Sequence, residues 1–149
     1  MRKPFPYATL AFFVIVAVVG ACQGEARAGG TVLKNEDNFL VTAAVEPVAG
    51  NPLAGKVLID IEARAGWKVS HEAPMLIEVI APEALKVTNL KLRNKDMLKP
   101  KAEKPRFEVP FTAAAKGTHE LKLKFDVVLC TEKMCQKKRF EAPFKVTAG

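Results

Sequence analysis

The chain has 149 residues, room for one folded domain and too few for two. Hydrophobic residues make up 49% and charged residues 26%, which excludes a disordered or collagen-like chain. The net charge is +7, and the 3 cysteines are an odd number that cannot all pair within one chain.

The first residues differ from the rest. Arg2 and Lys3 form a short positive region, followed by an uncharged run from Ala8 to Ala21 that includes LAFFVIVAVV. The run falls short of the roughly 20 apolar residues that span a bilayer and matches the apolar centre of a secretory signal. It ends in Val19-Gly20-Ala21-Cys22, which resembles the lipobox of bacterial lipoproteins. That resemblance implies removal of residues 1–21 as a signal peptide and lipidation of Cys22, anchoring the chain to a bacterial membrane. Ordinary cleavage after Ala26-Arg27-Ala28 is the alternative. Either route takes Cys22 out of the thiol pool and leaves Cys130 and Cys135 in an oxidising compartment, on the periplasmic side. Residues 22–36 begin with the small and polar CQGEARAGG and are predicted to be a flexible tether. The domain proper is expected over 37–149.

Beyond residue 37, apolar residues alternate with polar ones at the period of half-buried strands. Phe39, Val41, Ala43 and Val45 form the first such run, and Val57, Ile59, Ile61 and Ala63 the second, after the turn-rich PVAGNPLAG. Ile77 and Val79 share a face before a break at Pro82, where Pro82–Leu85 allows one helical turn. Phe107, Val109 and Phe111 mark another strand. The clearest run is Leu121, Leu123, Phe125, Val127 and Leu129, with Glu120, Lys122, Lys124 and Asp126 opposite; Phe140, Ala142, Phe144 and Val146 close the chain. No segment carries helical spacing over three turns. The pattern predicts an all-β, immunoglobulin-like antiparallel β-sandwich of about seven to eight strands. Arg106–Phe111 (RFEVPF) echoes Arg139–Phe144 (RFEAPF), which reads as a coincidence of strand pattern; Pro110 and Pro143 point to edge strands or bulges. Trp67 reads as a packing residue.

Cys130-Thr-Glu-Lys-Met-Cys135 separates the strongest strand from the last. On a helix these cysteines would lie on different faces, whereas a four-residue hairpin loop sets its flanking residues opposite each other, close to disulfide range. Such a bridge is either a staple or a tool. Closing a loop of six residues constrains the unfolded chain by only about 2 kcal/mol. Lys133, Lys137, Lys138 and Arg139 nearby favour thiolate character, which thiol–disulfide exchange requires.

With its Cys-x4-Cys hairpin entered by KLKFDVVLC, and with the stretch GWKVSHEAP, the chain resembles the N-terminal periplasmic domain of the thiol:disulfide interchange protein DsbD. The resemblance covers roughly residues 35–147. It implies a domain that relays electrons from a membrane thiol reductant to periplasmic thioredoxin-like oxidoreductases through Cys130 and Cys135, without a substrate pocket or cofactor. The best-known members have five residues between the cysteines and an aromatic cap over the pair; this chain has four, and no counterpart of the cap is evident in the sequence. It also lacks that protein's membrane and thioredoxin-like domains.

Other chemistry is weaker. The alternative function is a structural or interaction lipoprotein with an inert disulfide. Met134 beside the cysteines raises Cu(I) binding, but the loop holds no histidine and no metal site is predicted. His71 and His119 share no ligand spacing. Eight basic side chains between Lys86 and Arg106 form a run that reads as a solvated loop rather than a surface for an anionic membrane or an acidic partner. Nucleic acid is not an expected partner.

Overall fold

A computed structural model of the protein describes residues 30–149. The predicted signal, the small-residue segment that follows it and the lipidation candidate Cys22 lie outside the described residues.

Ten strands form two antiparallel sheets: β1 (Thr31–Glu36), β2 (Phe39–Val48), β3 (Asn51–Ala63), β4 (Lys68–Val69), β5 (Leu76–Ile80), β6 (Leu85–Val87), β7 (Lys91–Leu92), β8 (Arg106–Ala113), β9 (Gly117–Cys130) and β10 (Cys135–Ala148). One sheet has the order β1-β2-β3-β8-β6. The other runs β10-β9-β5-β7, with β4 also paired to β9. The immunoglobulin-like sandwich expected from the alternation is present. The strand count exceeds the expected seven to eight because β4, β6 and β7 hold only two or three residues each, too few to show a period.

The predicted inward faces are the observed core. Phe39, Val41, Val57, Ile59, Ile61, Phe107, Val109, Leu121, Leu123, Phe125, Val127 and Leu129 are all buried. Full burial of each such side chain stabilises the fold by about 1.5–3 kcal/mol relative to exposure. Met75, Leu85, Leu92 and Met97 also join the core, although nothing periodic marks them. Met97 follows a short 3-10 turn, Asn94–Asp96. The Asn94 side chain accepts the amide of Met75 at 2.9 Å and donates to the carbonyls of His71 and Ala73, so it holds this corner together. Trp67 packs half-buried against the core.

Three expectations are modified. Thr31–Glu36, read as the end of the tether, is strand β1, so the folded domain begins before residue 37. Alternation is broken there because the register with β2 shifts between Val32 and Lys34. Pro143 does lie on an edge strand, β10. Pro110 instead lies in β8, between β3 and β6, and is tolerated because β6 pairs no further than Val87↔Phe111. Finally, the two echoed hexapeptides play equivalent parts in the two sheets. Arg106 pairs across its sheet with Asp60 and Arg139 with Asp126, while Phe111 and Phe144 are buried and both prolines face outward.

Strand direction fixes what lies at each end of the sandwich. The end of β1, the end of β3, β4, the end of β9 and the start of β10 converge on one end, as the Lys138–Glu36 ion pair and the Asn38–Gln136 contact show. The β2–β3 and β8–β9 connections occupy the other end, with Gly149, whose amide reaches the Pro52 carbonyl.

Candidate functional site: the β9–β10 disulfide hairpin

β9 and β10 pair over their entire length, Gly117↔Ala148 to Cys130↔Cys135. The two cysteines are directly opposed, as a hairpin reading requires, with Cα atoms 4.0 Å apart and the sulfurs bonded. Between them, Thr131 organises the loop. Its amide donates to the Met134 carbonyl at 2.8 Å, and its hydroxyl accepts the amides of Lys133 and Met134 at 3.2 Å each. A hydroxyl residue at the start of a tight loop is the local signal for such a turn.

The two cysteines are not equivalent. The Ser70 amide donates to the Val128 carbonyl at 2.8 Å, which turns the backbone groups of Val128, and by alternation of Cys130, toward β4. Cys130 is therefore held between two strands, opposite Lys68 on one side and Cys135 on the other, and is half-buried. Cys135 starts an edge strand and is exposed. By alternation along β9, the pair lies on the outer face of its sheet, with Asp126 and Lys124, while Leu129 and Val127 point inward and are buried.

The charges around the hairpin are partly paired. Asp126 Oδ2 accepts Lys137 Nζ and Arg139 Nε, both at 3.1 Å, and its other oxygen is buried without a partner. Burial acts to raise the Asp126 pKa, but the hydrogen bonds from Lys137 and Arg139 outweigh it and leave the carboxyl below its ordinary value. Lys138 points inward and meets Glu36 at 2.9 Å, and Lys34 reaches the same carboxylate at 3.2 Å. The Lys138 bond is the main reason that Glu36 titrates below its ordinary value. Lys68 and Lys133 have no carboxylate within ion-pair distance among the described residues, and the exposed Glu132 between Cys130 and Lys133 has no cation within that distance either. A groove of about 350 Å³ lies farther along the same outer face, lined in part by Leu76, Glu78 and Arg139. Its charges are largely spent on one another, as in Lys124–Glu141 and Lys91–Glu78.

The other candidates disperse. His119 sits on β9 opposite Val146 and contacts the Ala115 carbonyl at 3.1 Å, whereas His71 lies at the disulfide end with a buried, unpartnered Nδ1. No group of three or more His, Cys, Asp or Glu side chains among the described residues is arranged to hold a metal ion. Within the basic run, Lys91, Lys104 and Arg106 are paired with Glu78, Glu62 and Asp60. No helix among the described residues is long and apolar enough to cross a membrane.

No known family profile and no curated protein matches the chain. Among solved structures, the GAE domain of GGA2p from Saccharomyces cerevisiae superimposes with a TM-score of 0.53 at 8% identity, covering 81% of this chain and 100% of that one. The yeast GGA1 GAE domain-P21 structure gives 0.47 at 9% identity, over 78% of this chain and 99% of that one. The first likeness establishes the sandwich fold and, at that identity, nothing about chemistry.

Proposed function

We propose that the chain is an exported thiol–disulfide exchange domain that relays electrons through Cys130 and Cys135 in the periplasm, anchored to a bacterial membrane by lipid on Cys22. The observation that carries this reading is the placement of the bridge. It crosses a hairpin already closed by continuous strand pairing, with the inner face of β9 buried, so it adds little constraint, yet it leaves Cys135 exposed. The resemblance of the cysteine hairpin to the N-terminal domain of DsbD supports the same reading. So do Lys68, opposite Cys130, and Lys133 in the loop, since cations beside a sulfur favour its thiolate.

The partner is a thioredoxin-like oxidoreductase or a membrane thiol reductant bearing two thiols. Its thiolate attacks the exposed Cys135 Sγ, the bridge breaks, and its electron pair leaves on Cys130 Sγ, which is then protonated by water. The partner's second thiolate attacks the mixed disulfide and releases Cys135. Two partner thiols become a disulfide while the bridge becomes two thiols, and the reverse sequence delivers the electrons onward.

The reduction potential decides between a relay and an inert staple. A relay requires a value above about −300 mV, and a lower value marks a structural bond and removes the proposal. Replacing Cys130 with Ser leaves Cys135 free to trap a partner as a mixed disulfide; failure of this variant and of Cys135→Ser to trap any partner counts against exchange. For the anchor, Cys22→Ala should move the protein from the membrane to the soluble fraction, and unchanged fractionation refutes lipidation.

A further inference from the structure

We propose that Lys68 and Lys133 make the rim of the disulfide a cationic docking surface that selects thiol partners carrying negative charge beside their reacting sulfur. The inference rests on the exchange reading and adds the chemical class of the partner.

Three observations place the charges. Lys68 on β4 stands directly opposite Cys130, and directly opposed residues of antiparallel strands hold their Cβ atoms about 5 Å apart. Lys133 is exposed in the loop that joins the cysteines. Neither has a carboxylate partner among the described residues, whereas the neighbouring Lys137 and Arg139 share Asp126 and Lys138 pairs with Glu36. Glu132 is the opposing charge within the loop, between Cys130 and Lys133, and against the two lysines it leaves one positive charge in excess. Met134, 53% exposed next to Cys135, offers the apolar contact of the same surface.

The two lysines act at different moments. An approaching anionic thiolate is attracted by a field that unpaired surface cations project and salt screens. When it attacks Cys135 Sγ and the bridge breaks, the electron pair departs on Cys130 Sγ, opposite the Lys68 ammonium. A cation there stabilises the leaving thiolate and speeds its departure. A partner with a basic face is repelled at both steps.

Small thiols of different charge serve as probes: 2-mercaptoethanesulfonate (anionic), 2-mercaptoethanol (neutral) and cysteamine (cationic). Rate constants for opening the bridge are measured on the purified protein and expressed per thiolate, which removes differences in thiol pKa. The expected order is anionic, neutral, cationic, with an anion-to-cation ratio of about tenfold at low salt that falls toward one in 1 M salt. Lys68→Gln with Lys133→Gln should bring the ratio near one at every salt concentration. A wild-type ratio near one at low salt, or an unchanged ratio in the double variant, overturns the proposal. Both side chains are exposed, and the single Lys133→Gln variant, which leaves β4 intact, should lower the ratio by itself. The reduction potential is measured separately. A structural potential would remove the relay while leaving the charge preference readable, and loss of the preference would leave the relay standing.

Discussion

The two halves of β10 face the β1-β2-β3-β8-β6 sheet with different chemistry. Toward the chain end, the inward positions Ala142, Phe144, Val146 and Ala148 are buried. Toward the disulfide, the inward positions are Gln136, Lys138 and Phe140, all only partly buried. There the sheets are joined by Lys138–Glu36, by a 3.5 Å contact between Asn38 and Gln136, and by Phe140, which stacks on Phe125 at 4.6 Å and tilts against Phe39 at 5.7 Å. One hairpin thus serves as a structural element at one end and as a solvated platform at the other. Buried apolar area carries the stability, and the end that carries the sulfurs is only partly covered.

Substitutions along the hairpin test that division. The largest effect belongs to the buried half: Phe144→Ala should cost about 3–5 kcal/mol in urea or thermal unfolding. Next comes the bridge itself. Converting both Cys130 and Cys135 to Ser should cost no more than about 2 kcal/mol, because the strand pairs persist without it. A loss equal to that of Phe144→Ala would make the bridge a staple and erase the contrast. Smaller still, Lys138→Met should cost about 1 kcal/mol, since it removes a half-exposed ion pair and the ammonium that sits 5.7 Å from the centroid of the Phe39 ring, each of which contributes little. A double-mutant cycle with Glu36→Gln measures the pair directly.

The smallest effect is in acid. Because the Glu36 carboxyl titrates below its ordinary 4.5 in the folded chain, its contribution to stability is complete above that value and is lost as pH falls through the folded pKa. The stability difference between wild type and Lys138→Met should therefore be constant from pH 7 to 5 and shrink below about 4.5. A difference that changes between pH 7 and 5 would assign the pH dependence to another group.

The sandwich was legible because five of its strands alternate strictly: Leu121 to Leu129 and Phe107 to Phe111 point inward residue by residue as read. The cysteine hairpin was legible for the same reason, since two long alternating runs flank a loop too short for anything but a turn. What was not legible depends on contacts between distant segments. β4 has two residues, and only its pairing with β9 reveals that Lys68 faces Cys130. β1 escaped because its bulge breaks the period, and the inward Lys138 could be understood only with Glu36 in view. The Asn94 bonds that shape the His71–Met75 corner span about twenty residues and leave no local trace.

The direction of β1 and the length of β9 set where the sulfurs stand. β1 runs from Thr31, opposite Ala43 in the middle of β2, toward the disulfide end. β9 alone, with 14 residues, measures about 45 Å. The sulfurs therefore stand about that far from the Gly117–Ala148 end of their own hairpin.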